Sequence, residues 1–447
     1  MDINSREIAL KVLQNINQKD GYSNISIKNH INDNVSLKDE GFIRELVYGV
    51  VENKLYLDYI ISKASKIKQK KIHPTINEIL RLGIYQIVFM DKIPISAAVN
   101  ESVKLAKKYG HKGTIGFVNG ILRAISRDVD YFKKIEEKNE QKALSIKYSH
   151  PEYLVSRFIK EFGYDFTVDI LKANNSKPLL NIRVNTIKTN KKELMNLLNK
   201  RGFEISEGEY AKDAIIVYNP QRITSLQEFK DGYFTIQDES SMLVGQILAP
   251  KEGSLVLDVC SAPGGKSTHI AAIMNNRGRV IARDLHEHKI RLIEENKKRL
   301  GINIIDSEVY DALKLDKSLI EKADYCLVDA PCSGFGLIRR KPEIKWNRKE
   351  NDIKELSTLQ YEILNVSKEY VKKGGILIYS TCTILDEENI CIINKFLEEN
   401  KNFKLTSIEN EVVNIDKINS LKDGYIQLYP NIHNTDGFFI AKMVKEG

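Results

Sequence analysis

Leu255-Val256-Leu257-Asp258-Val259-Cys260-Ser261-Ala262-Pro263-Gly264-Gly265-Lys266-Ser267-Thr268 is a short apolar run that stops in a glycine-rich turn. It reads as a buried strand followed by a loop whose backbone can approach a ligand closely. The pattern continues downstream. Gly278 to Ala282 is the next strand and leads to Asp284. Glu287 to Leu300 is a charged amphipathic helix closed by Gly301, and Ile304 to Val309 is a third strand with Asp311 after it. Tyr325 to Val328 and Gly375 to Tyr379 are the fourth and fifth strands. Strands alternating with helices predict an α/β domain with a parallel, doubly wound sheet. Ligands in such sheets bind beyond the C-terminal ends of the strands. Asp284, Asp311, Asp329, Cys332 and Cys382 all fall at such ends. Tyr425 to Tyr429 and Phe438 to Met443 are expected to close the sheet edge as an antiparallel pair.

The glycine loop invites a reading as a phosphate-binding P-loop, which needs Gly-x-x-x-x-Gly-Lys-Ser/Thr. Counting back from Gly265 places the first glycine at Cys260, so the motif fails. It is not the dinucleotide Gly-x-Gly-x-x-Gly either. An acid after the second strand, Asp284, suits ribose hydroxyls. Asp311, after the third, can accept from an adenine amino group. Ribose and adenine without a phosphate cradle point to S-adenosylmethionine. Each acid alone could equally be a helix cap.

The 447 residues exceed a single domain, and 42% hydrophobic content supports a sizeable core. No stretch approaches the roughly 18 consecutive apolar residues of a membrane span. The charged N-terminus lacks a secretory pattern, so a cytoplasmic protein with reduced thiols and no membrane association is expected, most simply a monomer. Five cysteines without a Cys-x-x-Cys pair, and scattered histidines, argue against a metal site. The net charge is +8, with the densest basic run from Lys63 to Lys71. Nucleic acid is the first candidate partner, against a plain solvated lysine-rich surface. Residues 1–130 read as helical throughout. Ser5 and Ser96 are candidate helix caps, Phe42 to Ser62 has helical spacing, and Asn77 to Met90 is a central buried helix. Residues 131–175 read as a linker with helices. Residues 176–245 read as a small α+β module, with strands at Leu179–Asn185 and Ala214–Tyr218 around a helix at Lys191–Arg201. Residues 246–447 hold the doubly wound domain.

Two thiols sit just past strand ends, in Asp329-Ala330-Pro331-Cys332-Ser333-Gly334 and Ser380-Thr381-Cys382-Thr383. From the residues alone they could form a disulfide, bind a metal, or act in one reaction, and nothing ranks one above the other. SAPGGKST, DAPCSG and STCT in this order resemble the RNA 5-methylcytosine methyltransferases, from about residue 150 to the C-terminus. Thr235 to Ser241 and Asp436-Gly437-Phe438-Phe439 belong to the same resemblance. Leu46 to Val50, Ala97 to Glu101 and Val118 to Arg123 resemble NusB-type RNA-binding domains. The resemblance implies a multidomain chain: an all-α NusB-like domain, the small α+β module, and a Rossmann-like class I methyltransferase domain. It implies S-adenosylmethionine as cofactor and a cytosine of 16S ribosomal RNA, naked or in an early particle, as substrate. It implies Cys382 as nucleophile, Cys332 for product release and Asp329 at the base edge. It further implies a cofactor site formed by Cys260, Ser261, Ala262, Pro263, Gly264, Gly265, Lys266, Asp284, Asp311 and Asp329. Cytosine C5 is too weak a nucleophile unaided, and a thiolate adding at C6 turns the ring into an enamine. Gly336 to Trp346 carries Arg339, Arg340, Lys341, Lys345 and the only tryptophan. Arg339, Arg340 and Lys341 are expected to meet RNA phosphates, with Trp346 available for stacking, against a plain charged loop. The alternatives are a different RNA substrate for the same chemistry, or a non-catalytic RNA-binding factor.

Overall fold

Apolar residues at helical spacing build the N-terminal region as a run of helices. These are α1 (Ser5–Lys19), α2 (Ser23–His30), α3 (Leu37–Glu52), α4 (Lys54–Ala64), α5 (Pro74–Phe89), α6 (Ile95–Tyr109) and α7 (Lys112–Arg127). The computed structural model describes residues 4–19, 21–31, 35–218, 220, 223–412, 414 and 420–446. α5 is the buried centre: Ile76, Ile79, Leu80, Leu82 and Ile84 are all inaccessible or nearly so, each contributing about 2 kcal/mol of burial. Gly49 on α3 faces the Tyr85 ring so closely that a Cβ there would overlap it. The local signals differ from expectation at three points. Asn4, not Ser5, caps α1, accepting from the amides of Arg6 and Glu7, while Ser5 donates to Asp39. Pro94 occupies the cap of α6, leaving Ser96 inside the helix. The span from Phe42 to Ser62 is two helices, broken at Asn53.

Four further helices extend this unit: α8 (Val129–Lys133), α9 (Glu140–Tyr148), α10 (Glu152–Phe162) and α11 (Tyr164–Asn174). The helical unit comprises Met1–Ser176 together with Ile338–Arg348.

The second unit is Lys177–Leu337 with Lys349–Gly447. It begins with β1 (Leu180–Val184), α12 (Lys191–Lys200), β2 (Glu204–Glu207), β3 (Ala214–Tyr218), α13 (Gln227–Lys230) and β4 (Phe234–Ile236). These form an antiparallel four-stranded sheet in the order β2-β3-β1-β4. β2 and β4 escape a sequence reading because they are short and only partly apolar. α14 (Glu239–Leu248) leads into β5 (Leu255–Asp258), α15 (Gly265–Ile273), β6 (Arg279–Asp284), α16 (Glu287–Leu300), β7 (Ile305–Val309) and β8 (Ala323–Asp329). After α17 (Ile344–Asn347), which lies in the helical unit, come α18 (Glu350–Ser367), β9 (Val371–Thr381), α19 (Ile390–Glu399), β10 (Phe403–Leu405), β11 (Tyr425–Leu428), α20 (Pro430–His433) and β12 (Phe438–Lys445). The large sheet runs β10-β12-β9-β8-β5-β6-β7. β5 to β9 are parallel, as expected of a doubly wound fold. The strand order reverses between β5 and β8, where such sheets open a binding crevice. β11 and β12 pair antiparallel, and β12 also pairs β9, so it is enclosed rather than a free edge.

Candidate active site

Register explains why two cysteines fifty residues apart in sequence meet. In the β8–β9 ladder Asp329 lies opposite Ser380. The chain then runs three residues from Asp329 to Cys332 and two from Ser380 to Cys382. Both loops leave the same end of the sheet, and the two Sγ atoms stand 3.1 Å apart. No disulfide joins the two cysteines. The loops are tied through backbone bonds: Ala330 N donates to Ser380 O at 2.9 Å and Gly336 N to Cys382 O at 3.0 Å. Gly336 in turn accepts from Gly437 N at 2.9 Å, and a Cβ at Gly336 would fall onto that backbone. The glycine is needed for this approach, and Phe438, next to Gly437, has the Lys266 ammonium 5.2 Å from its ring centroid.

Beside the thiols, Lys266 Nζ donates to Asp329 Oδ2 at 2.7 Å, and Ser380 Oγ donates to Asp329 Oδ1 at 2.9 Å. Burial opposes the Lys266 charge, but the Asp329 carboxylate and its hydrogen bond outweigh it, raising the pKa. The cation is therefore retained at neutral pH next to Cys382. Cys332 is pushed well above the ordinary thiol range by its hydrogen bond to Cys382, then by burial and by the charges of Cys382 and Glu388.

A cleft of about 410 Å³ opens at the switch point. Cys260, Ala262, Asp284, Asp311, Asp329, Cys332 and Cys382 line it together. Asp284 accepts from the His286 amide and faces Lys289 at 3.4 Å. Asp311 accepts from the Leu313 amide, so both acids cap local turns as well as facing the cleft. Ser261, Pro263, Gly264 and Gly265 shape the loop without lining the cleft. Ser261 anchors it to Arg283 O through both its amide and its hydroxyl. Gly264 has φ +92°, and a Cβ there would come within 3.2 Å of Ile293. Burial, first, and the surrounding acids push the Cys260 thiol up, so it stays neutral. Cys326 is fully buried in β8, and its thiol is likewise raised by burial.

Two groups that hold this loop are not conspicuous in the sequence. Asp258 accepts from Ser267 Oγ at 2.5 Å, and burial raises its carboxyl to about 7. Arg183, from β1 of the small sheet, is buried and donates to Gly265 O at 2.6 Å, Thr268 Oγ1 at 3.1 Å and Gln237. An arginine between Ile182 and Val184 in a strand was the available signal.

Leu337 to Trp346 is not a free loop. Glu343 accepts from the Ser23 amide at 3.1 Å and from its hydroxyl at 2.7 Å. Lys345 is fully buried, and Trp346 Nε1 donates to Val51 O at 2.8 Å while its ring packs on the helical core. Trp346 is thus occupied, not a platform for a base. Arg339 is buried, leaving Arg340 and Lys341 partly exposed. The Lys341 ammonium lies 5.5 Å over the Tyr22 ring. Among the described residues no group of three or more His, Cys, Asp or Glu could hold a metal. None of the described helices is long and apolar enough to cross a membrane.

The parallel sheet, the acid-lined cleft at its switch point and the glycine loop define a class I methyltransferase fold. Three family descriptions match in series: the NusB family over residues 3–127, an RsmF/B-like ferredoxin-like domain over 150–224, and 16S rRNA methyltransferase RsmB/F over 245–444. The chain is 42% identical to a probable ribosomal RNA small subunit methyltransferase B of Bacillus subtilis, covering 99% of each chain. Among solved structures it resembles a methyltransferase homologue from Pyrococcus horikoshii (31% identity, TM-score 0.61, 69% of this chain and 100% of the other). NSun6 from the same organism, solved with SFG, matches at 25% identity and TM-score 0.60, covering 66% of this chain and 98% of the other. The chain belongs to the RsmB/F family of 16S rRNA methyltransferases.

Proposed function

We propose that this protein transfers a methyl group from S-adenosylmethionine to C5 of a specific cytosine in 16S ribosomal RNA, through a covalent adduct between Cys382 and C6. The observation that carries the reading is the pair of thiols 3.1 Å apart beside the Lys266–Asp329 ion pair. The donor set suits the cofactor. Asp284, Asp311 and Asp329 put carboxylates on the cleft, which favours a sulfonium and disfavours a polyphosphate. Asp284 and Asp311 would hold the ribose and adenine, and Cys260 to Lys266 would form the loop beneath. When bound, the cofactor supplies an electrophilic methyl.

The chain's own residues supply the rest. Lys266 keeps a positive charge near Cys382, favouring the thiolate that adds to C6. Asp329, fixed from both sides by Lys266 and Ser380, would hydrogen-bond the base edge near N3 and N4. C5, now the nucleophilic end of an enamine, takes the methyl. Release then needs the C5 proton to leave to a base and the C6–S bond to break, its electron pair returning to Cys382. Cys332 lies at the departing sulfur and is the candidate for assisting that step. The base must be unpaired or extruded to reach partly buried thiols. Arg340 and Lys341 are the remaining candidates for phosphate contact on their segment.

The test is denaturing electrophoresis of wild type, Cys332→Ala and Cys382→Ala after incubation with S-adenosylmethionine and unmethylated 16S RNA. A denaturation-resistant adduct with Cys332→Ala, and neither adduct nor methylation with Cys382→Ala, is the expected pattern. The reverse pattern would assign the attack to Cys332. Loss of cofactor binding in the wild type would leave an RNA-binding factor instead.

A further inference from the structure

Outside the groups used above, one buried acid touches both cysteine loops. Glu388 follows Asp386 and Glu387 in a turn that reads as an ordinary acidic helix start. Its side chain is fully buried. It accepts from Ser333 N at 2.8 Å, from Ser333 Oγ at 2.5 Å and from Gln360 Nε2 at 3.0 Å. Gln360 also donates to Pro331 O at 2.9 Å. The residues on both sides of Cys332 are therefore held by one Glu–Gln pair. Ser333 Oγ is already donating to Glu388, so the Thr383 hydroxyl, 2.9 Å away, donates to it. Thr383 is the neighbour of Cys382. A single hydrogen-bonded chain thus runs from the residue after one cysteine, through the residue after the other, to a buried acid with no cation among these partners.

We propose that Glu388 is a positioning residue for the release step, fixing the Pro331–Ser333 turn so that the Cys332 thiol faces Cys382. The inference rests on the reading of Cys332 as the release group. A buried acid is costly unless hydrogen-bonded, and here all three bonds to the carboxylate serve the Cys332 loop or its tie to Cys382. The negative charge of Glu388 also adds to the causes that hold the Cys332 proton in place. The arrangement gives the two thiols different characters: Cys332 is pinned and kept protonated, while Cys382 stands beside a lysine.

The experiment compares wild type, Cys332→Ala, Glu388→Gln, Glu388→Ala and Gln360→Ala with S-adenosylmethionine and unmethylated 16S RNA. Multiple-turnover methylation, the first-turnover rate and the denaturation-resistant adduct are measured together. Glu388→Ala is expected to lower multiple turnover about tenfold more than the first turnover, and to accumulate adduct as Cys332→Ala does. Glu388→Gln keeps an acceptor of similar shape without the charge, and is expected to fall between Glu388→Ala and wild type. Gln360→Ala shifts the balance the same way and remains informative if Glu388 variants do not fold. Equal loss of first and later turnovers without adduct, in Glu388 and Gln360 variants alike, would make the network merely structural and overturn the proposal. Wild-type behaviour of Glu388→Ala would overturn it as well. If Cys332→Ala itself accumulates no adduct, the reading of Cys332 fails first, independently of Glu388.

Discussion

At the residue scale, a side chain's chemistry is set by what surrounds it, and two lysines make the contrast. Lys266 is partly buried beside a carboxylate and keeps its proton. Its loss in Lys266→Met is expected to slow methylation about a hundredfold. Alkylation of Cys382 by iodoacetamide, followed in a Cys332→Ala background, should move to higher pH. An unmoved alkylation profile would separate Lys266 from thiolate formation. Lys345 is buried against a backbone carbonyl, Glu52 O at 2.9 Å, and Asn175 Oδ1 at 3.4 Å. Burial, opposed by Glu52, lowers its pKa to about 7. Neighbouring His150 is also lowered by burial and then by Lys345. Its Nδ1 faces Tyr148 O and its Nε2 faces the Asn174 amide, as a neutral ring requires. Between the folded pKa of Lys345, near 7, and the unfolded value of 10.5, the unfolded chain binds a proton that the folded chain does not. Stability therefore rises with pH across that window, by up to about 1.4 kcal/mol per pH unit. Lys345→Met lacks this contribution, so wild type should gain on the variant from pH 7 upward in denaturant titrations. A constant difference between them would contradict the buried, proton-poor lysine.

At the element scale, the decisive joint is between the small sheet and α15, the helix that follows the cofactor loop. Arg183 places its planar fork on three acceptors around the first turn of α15. Burial lowers its pKa to about 9, which still leaves the cation intact at neutral pH. Asn185 and Arg299 tie the small module to the end of α16 in the same way, with Asn185 Nδ2 donating to Gly232 O and Leu300 O, and Arg299 to Phe229 O and Phe234 O. Arg183→Ala strands these acceptors and is expected to cost about 2–4 kcal/mol in denaturant unfolding. It should also weaken cofactor affinity in calorimetry. Arg183→Lys should not rescue it, because an ammonium cannot copy the fork; full rescue would refute the geometric role. The parallel strands and the cleft acids were legible in the sequence because buried strands and strand-end acids leave local marks. Arg183 and Glu388 were not, because their partners lie far away along the chain, and a lone arginine in a strand or an acid in a turn has many ordinary explanations. Arg340 and Lys341 belong to this scale too. If they meet phosphates, Ala substitution of both should reduce the salt slope of RNA affinity by about two. An unchanged slope would place RNA contact elsewhere.

At the scale of the whole molecule, sequence order and structural membership part company at one segment. A linear reading assigns residues 338–348 to the catalytic domain, since doubly wound chain flanks them on both sides. They fold instead with the helical unit. The cue was present but ambiguous: one tryptophan amid cations reads equally as a nucleic-acid surface or as an anchor in a core. Burial decides between them. Glu343 binds Ser23, Lys345 binds Glu52 O, and Trp346 binds Val51 O and packs on the core that contains Val50 and Val51. The helical unit is therefore incomplete as a continuous N-terminal stretch, and its stability depends on residues more than 150 positions beyond its last helix. Trp346→Ala removes both a large, partly buried ring and the bond to Val51 O, a loss of up to about 3–5 kcal/mol. Its effect should fall on the N-terminal helices rather than on the sheet around residue 346 in sequence. Hydrogen exchange on the full chain reads this directly. Amides at the C-terminal end of α3 and the start of α4 should lose protection, while those of β8 and β9 keep theirs. Loss of protection in β8 and β9, with α3 and α4 unaffected, would return the segment to the catalytic domain.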